Sequence, residues 1–142
     1  MRRTLAIIAA TAAILALVVR DPGAPSSAAT LDRLAKTIAN EEDHVTRDEL
    51  DQWLKQKKTL RLIDVRSKEE FAKSHAANAE SIPIDQIAKA PFKSAETIVL
   101  LSEGGAHAAQ AWVILQMRGF RSVYFLRNGT SGRRYEPGRD GC

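Results

Sequence analysis

Residues Ile98 to His107 read IVLLSEGGAH, and this stretch decides the fold. Its first four residues are uninterrupted apolar, the pattern of a strand covered on both faces at the centre of a parallel sheet. Gly104 and Gly105 then mark a tight loop. The following AHAAQAWVILQMRG predicts a helix that stops at Gly119. Such a unit exposes its loop at the carboxyl end of a strand, where open α/β sheets carry their functional crevice. Ser102 opens this loop, and the only cysteine, Cys142, is the last residue.

The same alternation continues outward on both sides. HVTRDELDQWL places a short extended piece before a helix, with Thr46 as N-cap, Glu49 three residues on, and Leu50, Trp53 and Leu54 on one face. LRLIDV is a β-type run, and SKEEFAKS is a short helix capped by Ser67 with Glu70 three residues later. AESIPI reads as a strand ended by Pro83, DQIAKA as one or two helical turns, and RSVYFL as the last strand. Trp112 and Met117 on the long helix are expected in the core. Strands alternating with helices imply right-handed crossovers and a parallel sheet between helical layers. The crevice residues are then Asp64 and Arg66 after one strand, Ser102 to His107 after another, and Arg127 to Gly129 after the last.

The 142 residues suffice for one domain of about 100 residues and appendages. A hydrophobic content of 44% with 27% charged residues argues against wholesale disorder. The net charge of +4 owes part of its excess to Arg2, Arg3 and Arg20. The remaining cations are scattered among acids, so nucleic-acid binding has no support. A single cysteine excludes an intrachain disulfide and a thiolate metal cluster, and three scattered histidines do not make a metal site. No cofactor is implied.

The N-terminus reads as a targeting segment. Arg2 and Arg3 precede an apolar run from Leu5 to Val19, and Pro22, Gly23 and Pro25 break the helix ahead of Ser27-Ala28-Ala29, a plausible cleavage site. The run is short of the roughly 20 residues that span a bilayer comfortably. Its distance from the cleavage site nevertheless favours an anchor over a cleaved signal. Either way the arginines stay inside and the domain goes out. The expected organisation is a signal peptide or anchor over 1–29, a linker or short helix over 30–43, the domain over 44–136 and a tail over 137–142. In a bacterium the domain would lie on the periplasmic side of the inner membrane, anchored or secreted.

The runs LIDVRSKEEFAKSHAANAESIPID, IVLLSEGGAHAAQAWVILQMRGF and VYFLRNG, in this order, resemble a rhodanese-like domain from about His44 to Gly129. The resemblance implies a three-layer α/β sandwich with a central five-stranded parallel sheet. It also implies a sulfurtransferase ancestry, in which a loop cysteine carries sulfane sulfur as a persulfide. The family loop runs Cys-x-x-Gly-x-Arg; here it reads Ser102, Glu103, Gly104, Gly105, Ala106, His107. A serine hydroxyl cannot form a persulfide, Glu103 adds negative charge to a loop that holds anions, and His107 replaces the arginine. Glycines expected by the family pattern are Ser74, Asn78 and Asn128, and an expected aromatic is Arg133. Together these departures suggest a relaxed pocket.

The resemblance assigns Asp64 and Arg66 to holding the pocket loops, and His75 to packing and hydrogen bonding. The expected function is a binding or regulatory module, inactive as a thiosulfate sulfurtransferase, that takes a protein partner or a small anion at the loop crevice. Two enzymatic alternatives stay open: a sulfur carrier at Cys142, on a mobile tail, and a hydrolase in which His107 activates Ser102.

Overall fold

The computed structural model describes residues 27–131. These fall in two compact units that divide between Asp32 and Arg33. Of the first unit, residues 27–32 are described, as the opening of helix α1 (Ser27–Ala39). The second unit contains the rest of α1, then β1 (His44–Val45), α2 (Arg47–Lys55), β2 (Arg61–Asp64), α3 (Lys68–Lys73) and β3 (Ala79–Ser81). A 3-10 turn at Ile87–Lys89 leads to β4 (Ile98–Leu101), α4 (Ala106–Met117) and β5 (Val123–Leu126).

All pairings are parallel, in the order β1-β5-β4-β2-β3. The apolar run Ile98–Leu101 is the central strand, and all four of its residues are buried. Alternation splits the core in two. Ile63, Ile98, Leu100 and Val123 face α4 through Ala108, Ala111, Trp112 and Leu115. Val45, Leu62, Val99, Leu101 and Leu126 pack with Leu50 of α2 on the other face. The indole Nε1 of Trp112 donates to the Val123 carbonyl at 2.9 Å, so its one polar group is satisfied inside the core.

Both predicted capping boxes are present. The Thr46 and Ser67 side chains accept from the backbone of Glu49 and Glu70, whose carboxylates bind back to the cap N–H groups. Helix α4 ends at Met117, and Gly119 follows at φ +92°.

Several side-chain expectations are corrected. Met117 is 53% exposed. It stands two residues past Leu115, about 200° around the helix at 3.6 residues per turn, so it faces away from the core that Leu115 and Trp112 fill. Leu54 is also exposed, because Trp53 covers the sheet in its place, edge-on to Tyr124 at 5.3 Å. Leu34 of α1, in the stretch read as a linker or short helix, joins the α4-side core.

Among the described residues, no helix is long and apolar enough to cross a membrane. The apolar run Leu5–Val19, Arg133 and the tail with Cys142 lie outside the described residues, while Ser27, Ala28 and Ala29 form the first turn of α1.

Candidate functional site

Strand β4 delivers Ser102 to the carboxyl edge of the sheet. Its side chain turns inward and the residue is 2% exposed. The Ser102 Oγ accepts hydrogen bonds from the backbone N–H of Gly105 at 3.1 Å and of Ala108 at 3.2 Å. Gly105, at φ +88°, is the N-cap of α4 and has no side chain to cap with. Ser102 thus occupies two of the donors that a helix start leaves free.

The loop is clamped by the turn after β5. Thr130 N–H donates to the Ser102 carbonyl at 2.9 Å and Ser131 N–H to the Glu103 carbonyl at 3.1 Å. This approach requires glycine at 129. Its φ is +63°, and a Cβ there would collide with the carbonyl oxygens of Glu103 and Ser102.

Asp64 is fully buried at the end of β2 and holds Arg66 through both of its carboxylate oxygens. Arg66 Nη2 donates to Asp64 Oδ2 at 2.6 Å, Nε to Oδ1 at 3.0 Å, and the Arg66 backbone N–H to Oδ1 at 3.1 Å. Hydrogen bonding to Asp64 raises the Arg66 pKa above its ordinary value, so the guanidinium stays charged. Arg66 Nη2 also donates to the Ser74 carbonyl at 2.7 Å, tying α3 to the sheet edge. His75 stacks on Phe71 with centroids 4.0 Å apart, and its Nδ1 lies 2.9 Å from the Phe71 carbonyl.

The substituted glycines do not loosen the backbone. Asn78 and Asn128 both adopt φ 62°, the left-handed region that asparagine tolerates better than other side chains. Ser74 sits at φ −165°, open to any residue. The pocket read as relaxed at these three positions therefore keeps its backbone. What differs is the chemistry of the side chains on it.

A groove of about 600 Å³ lies beside the loop, lined among others by Arg47, Arg66, Glu70, Lys73, His75 and Glu103. Ser102 does not line it; Glu103 does. Nor are Ser102 and His107 brought together: Ser102 points into the loop, while His107, on the first turn of α4, is exposed. Arg127 leaves the crevice too, its Nη1 lying 3.4 Å from His44 Nε2 and 3.9 Å from Glu41.

Arg47, Glu70 and Lys73 were missed from sequence. Arg47 crosses to the closing turn, its Nη2 donating to the Thr130 carbonyl at 3.2 Å and the Gly129 carbonyl at 3.4 Å. The available signal for Arg47 and Glu70 was positional, since the first turns of α2 and α3 follow strands and so open at the crevice, whereas Lys73 ends α3 and had no such signal. Among the described residues no cluster of histidine, cysteine or carboxylate could hold a metal ion.

Residues 46–133 match the model of the rhodanese-like domain family. No curated protein matches the chain. Among solved structures, a rhodanese-like domain protein from Staphylococcus aureus is 28% identical, with TM-score 0.60, and the match covers 67% of this chain and 94% of that one. A human single-domain sulfurtransferase is 22% identical, with TM-score 0.58, covering 63% and 92%. The rhodanese-like domain of an Anabaena protein is 19% identical, with TM-score 0.58, covering 70% and 89%.

Proposed function

The chain belongs to the rhodanese-like domain family, and from that premise we propose that it binds a partner at the loop groove without carrying sulfur on the loop. One observation bears most of the weight. The first loop position holds a hydroxyl, buried, with its oxygen already accepting from Gly105 and Ala108. Persulfide transfer needs a thiolate that attacks the donor sulfur and later surrenders it. Ser102 has no sulfur, and its hydroxyl titrates far above neutrality. The same hydrogen bonds fill the N–H cradle in which an anion would sit.

The groove supplies the binding half of the reading. Arg47 and Lys73 stand against Glu70 and Glu103, so its charge is mixed. A mixed-charge groove suits a polar segment of a protein partner better than a free anion, which Glu103 repels. The apolar run Leu5–Val19 supports a further part of the proposal, that the domain acts on the periplasmic side of the inner membrane, anchored or secreted.

The test is sulfur transfer from thiosulfate to cyanide by the full chain, beside a photocrosslinker placed at Glu103 in cells. We expect no transfer above background. Crosslinks to a discrete protein should be lost in Arg47→Ala and Lys73→Ala. Transfer that disappears in Cys142→Ser would replace this reading with a sulfur carrier on the tail. Hydrolysis that disappears in Ser102→Ala would replace it with a hydrolase.

A further inference from the structure

Helix α4 carries no aspartate, glutamate, lysine or arginine between Ala106 and Met117. Its inner residues Ala108, Ala111, Trp112 and Leu115 fill the core. Its outer stripe is His107, Gln110, Val113 and Met117, spaced by three or four residues and exposed throughout. A surface helix ordinarily turns charged side chains to water. Here the outward side ends in two apolar ones, Val113 at 42% and Met117 at 53% exposed, one turn apart.

Helix α1 adds to the same side of the sheet. Leu34 enters the core that α4 covers, and Arg33 Nη1 donates to Gln116 Oε1 of α4 at 2.6 Å, so the two helices share this layer. Beside Leu34, α1 presents Ala35, Ile38 and Ala39 to solvent, all uncharged, with Ile38 at 50%. Among the described residues of the second unit, the large hydrophobics left exposed are Ile38, Val113 and Met117 on this layer and Leu54 on the other face. Single exposed apolar side chains are ordinary, but three gathered on one layer mark a surface that meets something apolar.

The sequence ahead of this layer supplies the apolar phase. The thirteen residues 20–32 separate the run Leu5–Val19 from Arg33, and a chain of that length spans at most about 45 Å. An anchor in Leu5–Val19 therefore holds the layer near the bilayer, where tethering populates even a weak apolar contact. We propose that the α1–α4 layer rests on the bilayer surface, with Ile38, Val113 and Met117 entering the lipid interface. Such contact grows with the apolar area buried in the headgroup boundary. The inference rests on the anchored reading of Leu5–Val19. It leaves the loop groove open to a partner, since the described lining of that groove comes from neither helix.

The test reconstitutes the full chain in phosphatidylcholine nanodiscs, in a Cys142→Ser background, with a nitroxide on one introduced cysteine. The label sites are Met117→Cys, Ile38→Cys and, as control on the exposed side of α2 across the sheet, Asp51→Cys. Collisions with oxygen, which concentrates in lipid, are compared with collisions with a water-soluble nickel chelate. Labels at 117 and 38 are expected to gain oxygen and lose chelate relative to the label at 51. Ile38→Glu/Val113→Glu alters exposed side chains only, so it should return the label at 117 to the values at 51 with its urea midpoint kept. Labels at 117 and 38 as wet as that at 51, in a chain that has entered the disc, would overturn the inference and leave the anchor standing. A chain that does not enter the disc would remove the anchor, and the inference with it. Dipolar coupling between labels at 117 on two chains would give the layer to a second copy and overturn the lipid contact.

Discussion

Replacing Asp64 with alanine should be among the most damaging single changes in the domain. Asp64 is fully buried and Arg66 is 9% exposed, so removing the carboxylate leaves a nearly buried guanidinium without its counter-charge. The backbone N–H of Arg66 loses its acceptor as well. Breaking one side of a buried ion pair costs about 3–5 kcal/mol. A domain of this size has about 5–15 kcal/mol in total. Urea unfolding of Asp64→Ala should therefore show a midpoint lowered by about a fifth or more of its value, with an unchanged slope.

The double variant Asp64→Ala/Arg66→Met separates the pair from its packing. Methionine keeps much of the arginine stem but buries no charge, so the double variant should recover at least about 1 kcal/mol over Asp64→Ala alone. An Asp64→Ala cost below about 1 kcal/mol, or a strictly additive cycle, would refute the account of this pair as the clamp of the pocket edge.

Other positions give sharp contrasts. Gly129→Ala should destabilise by well over the roughly 1 kcal/mol of a left-handed backbone penalty, because its Cβ also meets the loop carbonyls, whereas Asn128→Gly should be nearly neutral; equal urea midpoints would contradict this. Trp112→Ala should cost about 3–5 kcal/mol and Met117→Lys almost nothing, so a large Met117 effect would refute the assigned helix face. Acid should weaken the fold. Hydrogen bonding from Arg61 lowers the Glu80 pKa, and the Thr46 N–H lowers that of Glu49. Folded carboxylates that give up protons more readily than unfolded ones stabilise above their unfolded pKa, and that contribution disappears as pH falls through the folded value. Glu80→Gln should accordingly flatten the acid limb of stability against pH, and an unchanged limb would remove Arg61 as the cause. Ser102→Cys places a thiol between the N–H groups of Gly105 and Ala108 on an intact backbone, so it should acquire a sulfur from thiosulfate, faster when Glu103→Gln removes the nearby charge; an inert double variant would show a block beyond these two side chains.

Much of the fold was legible because local and global signals agreed. The unbroken run Ile98–Leu101 has the pattern of a doubly covered strand, and the Thr46 and Ser67 boxes fixed two helix starts to the residue. The errors came where facing decides. Met117 belongs to a helix so apolar overall that its sequence does not mark the outward side. Leu34 enters the core through tertiary packing that its polar surroundings do not announce. At the site, Asn78 and Asn128 were counted as losses of glycine, yet their dihedral angles keep what the glycines would supply. The groove residues Arg47 and Lys73, and the pairing of Arg33 with Gln116 across the chain, depend on distances that spacing does not encode.

The central proposal is that this chain keeps the rhodanese frame without carrying sulfur, on its loop or on its tail. The most direct test is the intact mass of the reduced full chain before and after incubation with thiosulfate, with Cys142→Ser alongside. The account predicts no added sulfur in either protein. One sulfur gained by the natural chain and absent from Cys142→Ser would contradict it, and would make the terminal cysteine the carrier.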